Sequence, residues 1–137
     1  MALSYGASIS LDQAETVASA ALAEARRNGW AMAVAIVDTH GALVCFKKMD
    51  DTQAGSVVVC QEKAASAARF KRSTKEFQDM LAGGGEGLRV LRINGAVPVE
   101  GGLPILIDGR VAGAVGMSGG TSAQDGQCAR VGLEALK

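Results

Sequence analysis

The sequence predicts an α+β fold: one domain over residues 1–137, built as a mainly antiparallel sheet of about five strands flanked by helices. Three observations lead there. The strand pairs that can be read are closed by short turns rather than crossover helices, and hairpins make antiparallel neighbours. Capped and alanine-rich helical stretches stand before, between and after those pairs, so helices must cover the sheet. The chain has 137 residues, 48% of them hydrophobic, enough for one core without disulfides or a structural metal.

Ser10-Leu11-Asp12-Gln13 is a capping box, a serine cap with glutamine three residues later. Behind it Ala14, Val17, Ala18, Ala21, Leu22 and Ala25 recur at helical spacing, and Gly29 after Arg26-Arg27 stops the first helix. Residues 31–37 are apolar on both faces and predict a central strand. Met32, Val34 and Ile36 alternate with Ala31, Ala33 and Ala35, which leaves one face flat enough for close helix packing. Asp38-Thr39-His40-Gly41 has turn chemistry, and residues 42–48 supply the return strand. A second, alanine-rich helix is expected over residues 55–70. Ser73-Thr74-Lys75-Glu76 opens a short helix that ends before Gly83-Gly84-Gly85. Residues 88–93 read equally well as a helical turn or a strand. Segments 104–107 and 110–117 flank Asp108-Gly109, the strongest short-range hairpin signal in the chain. Ser122-Ala123-Gln124-Asp125 opens the last helix, whose stripe is Cys128, Val131, Gly132, Ala135 and Leu136.

Fourteen basic and fourteen acidic side chains give a formal net charge of zero. No basic stripe is present and aromatic residues make up only 4%, so nucleic acid is not an expected partner. Near-zero charge also permits self-association. Cys45, Cys60 and Cys128 are far apart and His40 is the only histidine, so no metal site is expected and the thiols should be buried and reduced. No segment has the length to span a bilayer, and residues 1–10 lack the pattern of a secretory signal. A cytoplasmic location without membrane contact is the expectation. Met32, Met49, Met80 and Met117 read as core filler.

Four features could carry chemistry. Residues 116–122 run from a strand through Gly119-Gly120 into a helix start, where N–H groups and the helix dipole favour an acidic ligand. The competing reading is a capped helix, with Thr121 or Ser122 satisfying those donors and Asp125 offsetting the dipole. Lys63 lies in an otherwise apolar helix, where it is either a base or anion partner or a lysine snorkelling to water. Asp38 ends a buried strand, as a general acid or base or as the residue that starts the turn. His40 sits in that turn, either on the open surface or as an axial haem ligand if the turn folds over a pocket.

The chain resembles the GlcG/HbpS-like family, also described as haem-degrading domains, over nearly its whole length. Three stretches carry the likeness: Val37-Asp38 through Gly41 to Lys48-Met49-Asp50; Glu62-Lys63-Ala64 through Phe70 to Ser73-Thr74; and Gly101-Gly102-Leu103-Pro104 followed by residues 113–119 and Gln124-Asp125. It is also similar to the C-terminal domain of PduO-type proteins. The resemblance implies a profilin-like antiparallel sheet and assembly into a homodimer or larger homo-oligomer. It further implies haem in some members and small-acid catabolism in others. Lys48 and Ser66 stand where the family commonly has arginine and threonine.

Two functions stay open at this level. One is a small-molecule binding protein, with haem or a related tetrapyrrole as the implied ligand. Its acidic group would meet Gly102, Ser118, Gly119, Gly120, Thr121 and Ser122, and His40 is the axial candidate. The other is a small lyase, isomerase or hydrolase acting on an organic acid, with Lys63 and Asp38 as acid/base groups.

Overall fold

Four strands and four α-helices, described by a computed structural model over residues 2–137, alternate along the chain. Helix α1 (Leu11–Arg27) precedes the hairpin β1 (Ala33–Val37) and β2 (Leu43–Lys48). Helices α2 (Ser56–Phe70) and α3 (Thr74–Ala82) follow, then a 3₁₀ segment, Gly85–Arg92. The hairpin β3 (Gly102–Ile107) and β4 (Arg110–Ser118) leads into α4 (Ser122–Glu134). The sheet is antiparallel throughout, in the order β2-β1-β4-β3. It has four strands where about five were expected. Residues 88–93 account for the difference, because they fall in and just after the 3₁₀ segment.

Local chemistry explains each boundary. The Ser10 and Thr121 hydroxyls accept the N3 amides of α1 and α4, and glutamine side chains return the bond in both capping boxes. The cap of α4 is therefore Thr121, one residue before the predicted Ser122. In the β3–β4 turn, Asp108 and Gly109 take φ of 53° and 76°, the left-handed pair that a two-residue hairpin needs.

The alternation in β1 sorts the helices onto the two faces. Met32, Val34 and Ile36 join the core under α1 and α4, with Val17, Leu22, Val115, Met117 and Cys128. Ala33, Ala35 and Val37 face α2, against Cys60, Ala64, Ala67 and Ala68. That second interface is made almost wholly of small side chains, so α2 lies very close to the sheet. A Cβ at Gly116 of β4 would come within 2.0 Å of the Cys60 carbonyl oxygen. Met80, expected in the core, is instead 42% exposed on α3. Its short helix buries only Thr74 and Phe77.

The N-terminal segment completes the sheet where β1 stops. Beyond Val37, which pairs with Ala114, β4 keeps β3 on one side, and residues 4–9 take the place of β1 on the other, with Tyr5 bridging Val111 in parallel. Val111 N–H donates to Ser4 O (2.8 Å), Gly6 N–H to Val111 O (3.0 Å) and Ile9 N–H to Ala112 O (2.9 Å).

Candidate functional site

Helix α2 carries two cations to opposite ends of the sheet. At 15 residues it is about 22 Å long. Its first residue, Ser56, meets Ser118 at the end of β4 (Oγ–Oγ 3.1 Å), and Arg69 in its last turn meets the 38–41 turn.

At the Ser118 end the cation is Lys63, 1% exposed. Its Nζ donates to Met117 O and to Asp125 Oδ2, both at 3.0 Å. The other oxygen of Asp125 accepts the Gly120 N–H at 3.0 Å. Burial pushes the Asp125 carboxyl above its ordinary value, against the pull of the Lys63 ammonium and the Gly120 amide. Lys63 does not snorkel; it is sealed beneath the sheet with its ion-pair partner. Glu100, also buried, accepts from Arg130 at 3.4 Å, and a Cβ at Gly126 would fall 2.3 Å from its Oε2.

This arrangement uses up much of the 119–122 turn. An internal carboxylate, Asp125, takes the Gly120 N–H just ahead of α4, and Gln124 Oε1 accepts the Thr121 N–H at 2.9 Å. The Ser122 and Ala123 amides at the first positions of α4 remain as donors without an intrahelical acceptor. Gly119, at φ +143°, makes room for chain packing: a Cβ there would lie 2.3 Å from Ala31 O. Gly102 is just as enclosed, its N–H donating to Thr74 Oγ1 at 2.9 Å and its Cα packed on the Lys63 carbonyl. Of the residues expected to bind a ligand here, Gly102 and Ser118 are buried, and Gly119, Gly120 and Ser122 are half-buried.

The far end of β1 differs. Asp38 Oδ1 accepts the N–H groups of His40 (2.8 Å) and Ala42 (3.0 Å), so this carboxylate holds the turn. Asp38 and Lys63 are not brought together. Lys63 reaches the level of Val34, the partner of Met117, four residues up the strand from Asp38, or about 13 Å by strand rise. His40 is exposed and opens on a cleft of about 400 Å³ lined by Tyr5, Gly6, Thr39 and Arg69. His40 Nδ1 lies 3.2 Å from Thr39 Oγ1, which is 3.0 Å from Ser8 Oγ. Arg69 Nε donates to the His40 carbonyl at 3.1 Å, and the Tyr5 hydroxyl donates to Ala68 O at 2.6 Å.

Tyr5, Ser8 and Arg69 carried no signal in the sequence, and Thr39 showed only as part of the 38–41 turn. They are separated by up to 64 residues and share no motif; the N-terminal segment places them together. The three cysteines are free and buried. Burial pushes the Cys60 and Cys128 thiols up to about 12 and raises Cys45 as well, so they are poor nucleophiles at neutral pH.

Residues 9–134 match the family model described as haem degrading protein HbpS-like. The chain is 34% identical over 110 residues to protein GlcG of Escherichia coli strain K12, covering 80% of this chain and 81% of GlcG. A crystal structure of a double mutant of Streptomyces reticuli HbpS superposes with a TM-score of 0.88 at 26% identity, covering 98% of this chain and 91% of that one. A PduOC:haem complex superposes at 0.84 with 28% identity, over 93% of this chain and 94% of that one. The family-model match over residues 9–134, with GlcG 34% identical over 80% of this chain, places the chain in the HbpS-like family.

Proposed function

We propose that this protein binds haem or a closely related tetrapyrrole, with His40 as the axial ligand. The observation that carries the reading is the setting of its only imidazole. In the tautomer with Nδ1–H donating to Thr39 Oγ1, and Thr39 in turn donating to Ser8, Nε2 keeps a lone pair beside an open cleft. Arg69 on the same cleft is a fitting partner for a propionate. Haem would supply an iron centre that accepts an imidazole. In this role His40 ligates, Thr39 and Ser8 orient the ring, and Arg69 neutralises an acidic side group.

The 119–122 turn, with the Ser122 and Ala123 amides, is the rival place for the ligand's acid. It lies at the opposite end of β1, so it belongs to a different pose. The open face of the His40 cleft suits a homo-oligomer in which a second copy covers the ligand. Three buried free thiols suit a reducing cytoplasm, and no helix among the described residues is long and apolar enough to cross a membrane.

Titrating haemin into the protein, followed by visible absorption, should give a saturable shift whose position reports the axial ligand. His40→Ala should lose that signature and Thr39→Val should weaken it, both with unchanged melting temperatures. An identical spectrum and Kd in the His40→Ala protein overturns the assignment. Amide shifts at Ser122 and Ala123 on titration, without shifts at His40, would move the site to the α4 start.

A further inference from the structure

The His40 cleft has a neighbour. A second cleft of about 410 Å³, lined by Gly6, Ala7, Ile107, Asp108 and Arg110, shares Gly6 with the first. Gly6 is fixed by its N–H bond to Val111 O at 3.0 Å, and without a side chain it makes a low ridge between the two.

Each cleft holds one arginine, and a glycine seats each arginine. A Cβ at Gly41 would fall 2.7 Å from Arg69 Nε and 3.1 Å from its Nη2. A Cβ at Gly6 would fall 2.9 Å from Arg110 Cβ and 3.2 Å from its Cδ. A larger residue at either position would displace the arm.

Neither guanidinium has an acidic partner within 4.0 Å among the described residues; the ion pairs of the chain engage other cations. Arg69 is tethered through Nε alone, which leaves its two Nη groups free to fork onto a carboxylate. The nearby acids do not fill that role. Asp38 is committed to two backbone amides, and Asp108 belongs to the β3–β4 turn without pairing to Arg110. One exposed arginine contributes little alone, but two acting on one ligand act in concert.

We propose that Arg69 and Arg110 form a clamp for a dicarboxylate that straddles Gly6. This rests on the His40 cleft as the ligand's place but not on iron ligation. The two carboxylates are those of a tetrapyrrole carrying two propionates or of a small aliphatic diacid; both make the same demand on the arginines.

The test compares haemin, haemin dimethyl ester and succinate on the intact protein. Haemin should bind at least about tenfold more tightly than its ester, and the difference should fall to about threefold or less in Arg69→Gln and in Arg110→Gln. Arg110→Lys, which keeps charge but loses the fork, should fall between. If the natural source is a small diacid, succinate binds by calorimetry and displaces haemin, and both glutamine variants lose that binding. His40→Ala should change the haemin spectrum yet keep the acid-to-ester ratio, which separates failure of axial ligation from failure of the clamp. Equal affinity for haemin and its ester without succinate binding, or a ratio unchanged in both glutamine variants of normal melting temperature, overturns the clamp.

Discussion

Lys63 and Arg69 stand six residues apart on the same helix and meet opposite fates. Lys63 enters the interior, 1% exposed, and finds Asp125 and a backbone carbonyl. Arg69 leaves the helix end, binds one carbonyl and keeps the rest of its guanidinium for solvent. The comparison shows how polar groups divide between fold and function. At the Lys63 end nearly every donor has an internal acceptor, so the cluster ties α2, β4 and α4 together. At the Arg69 end the cations outnumber the contacts available to them, and an external acid can complete the set.

Stability should separate the two ends most sharply. Lys63→Ala leaves a buried carboxylate without its cation and should cost about 3–5 kcal/mol in denaturant unfolding. Replacing both partners, Lys63→Met with Asp125→Leu, should recover much of that loss, because two apolar groups leave no charge behind. A loss under about 1 kcal/mol for Lys63→Ala would mean that the sealed end is not a structural pin.

A smaller effect should appear at alkaline pH. Cys60 and Cys128 are raised from 9.0 to about 12 in the folded chain, whereas an unfolded chain ionises them near the ordinary value. Their contribution is fully present below about pH 9 and is lost as pH rises toward about 12, because the unfolded state gives up protons first. The slope should be on the order of 1 kcal/mol per pH unit for each thiol. A Cys60→Ala, Cys128→Ala double variant should show a flatter profile over that window. An unchanged slope would show that neither thiol is desolvated.

The least effect is expected at the open end. His40→Ala and Arg110→Gln should shift unfolding by no more than about 0.5 kcal/mol, while ligand binding changes as described above. A large loss of stability from either would erase the contrast and make that end structural too.

Much of the architecture was legible in residue order. The capping box at Ser10, the alternation of 31–37 and the Asp108-Gly109 turn each act within a few residues, where sterics and local hydrogen bonds decide. The alanine face of β1 even announced that a helix would pack closely on it. Sequence was weakest where local preference is balanced. Residues 88–93 carry no decisive period, so residue order fits a helical turn or a strand equally well, and the chain forms a 3₁₀ segment over Gly85–Arg92. Lys63 showed the same weakness. Its helix position was readable, but its fate depended on Asp125, 62 residues away.

By itself, then, the sequence determined the hairpins, the capped helices, the two faces of the central strand and the family likeness, because these depend on short-range geometry and residue order. Only the tertiary structure decided which polar groups are spent and which are left over. An internal carboxylate took the Gly120 amide beside the α4 start, and the N-terminal segment brought Tyr5 and Ser8 to His40 and Arg69. The physical reason is that a charge's role is set by what packs against it across the whole chain, and no local pattern encodes that partner.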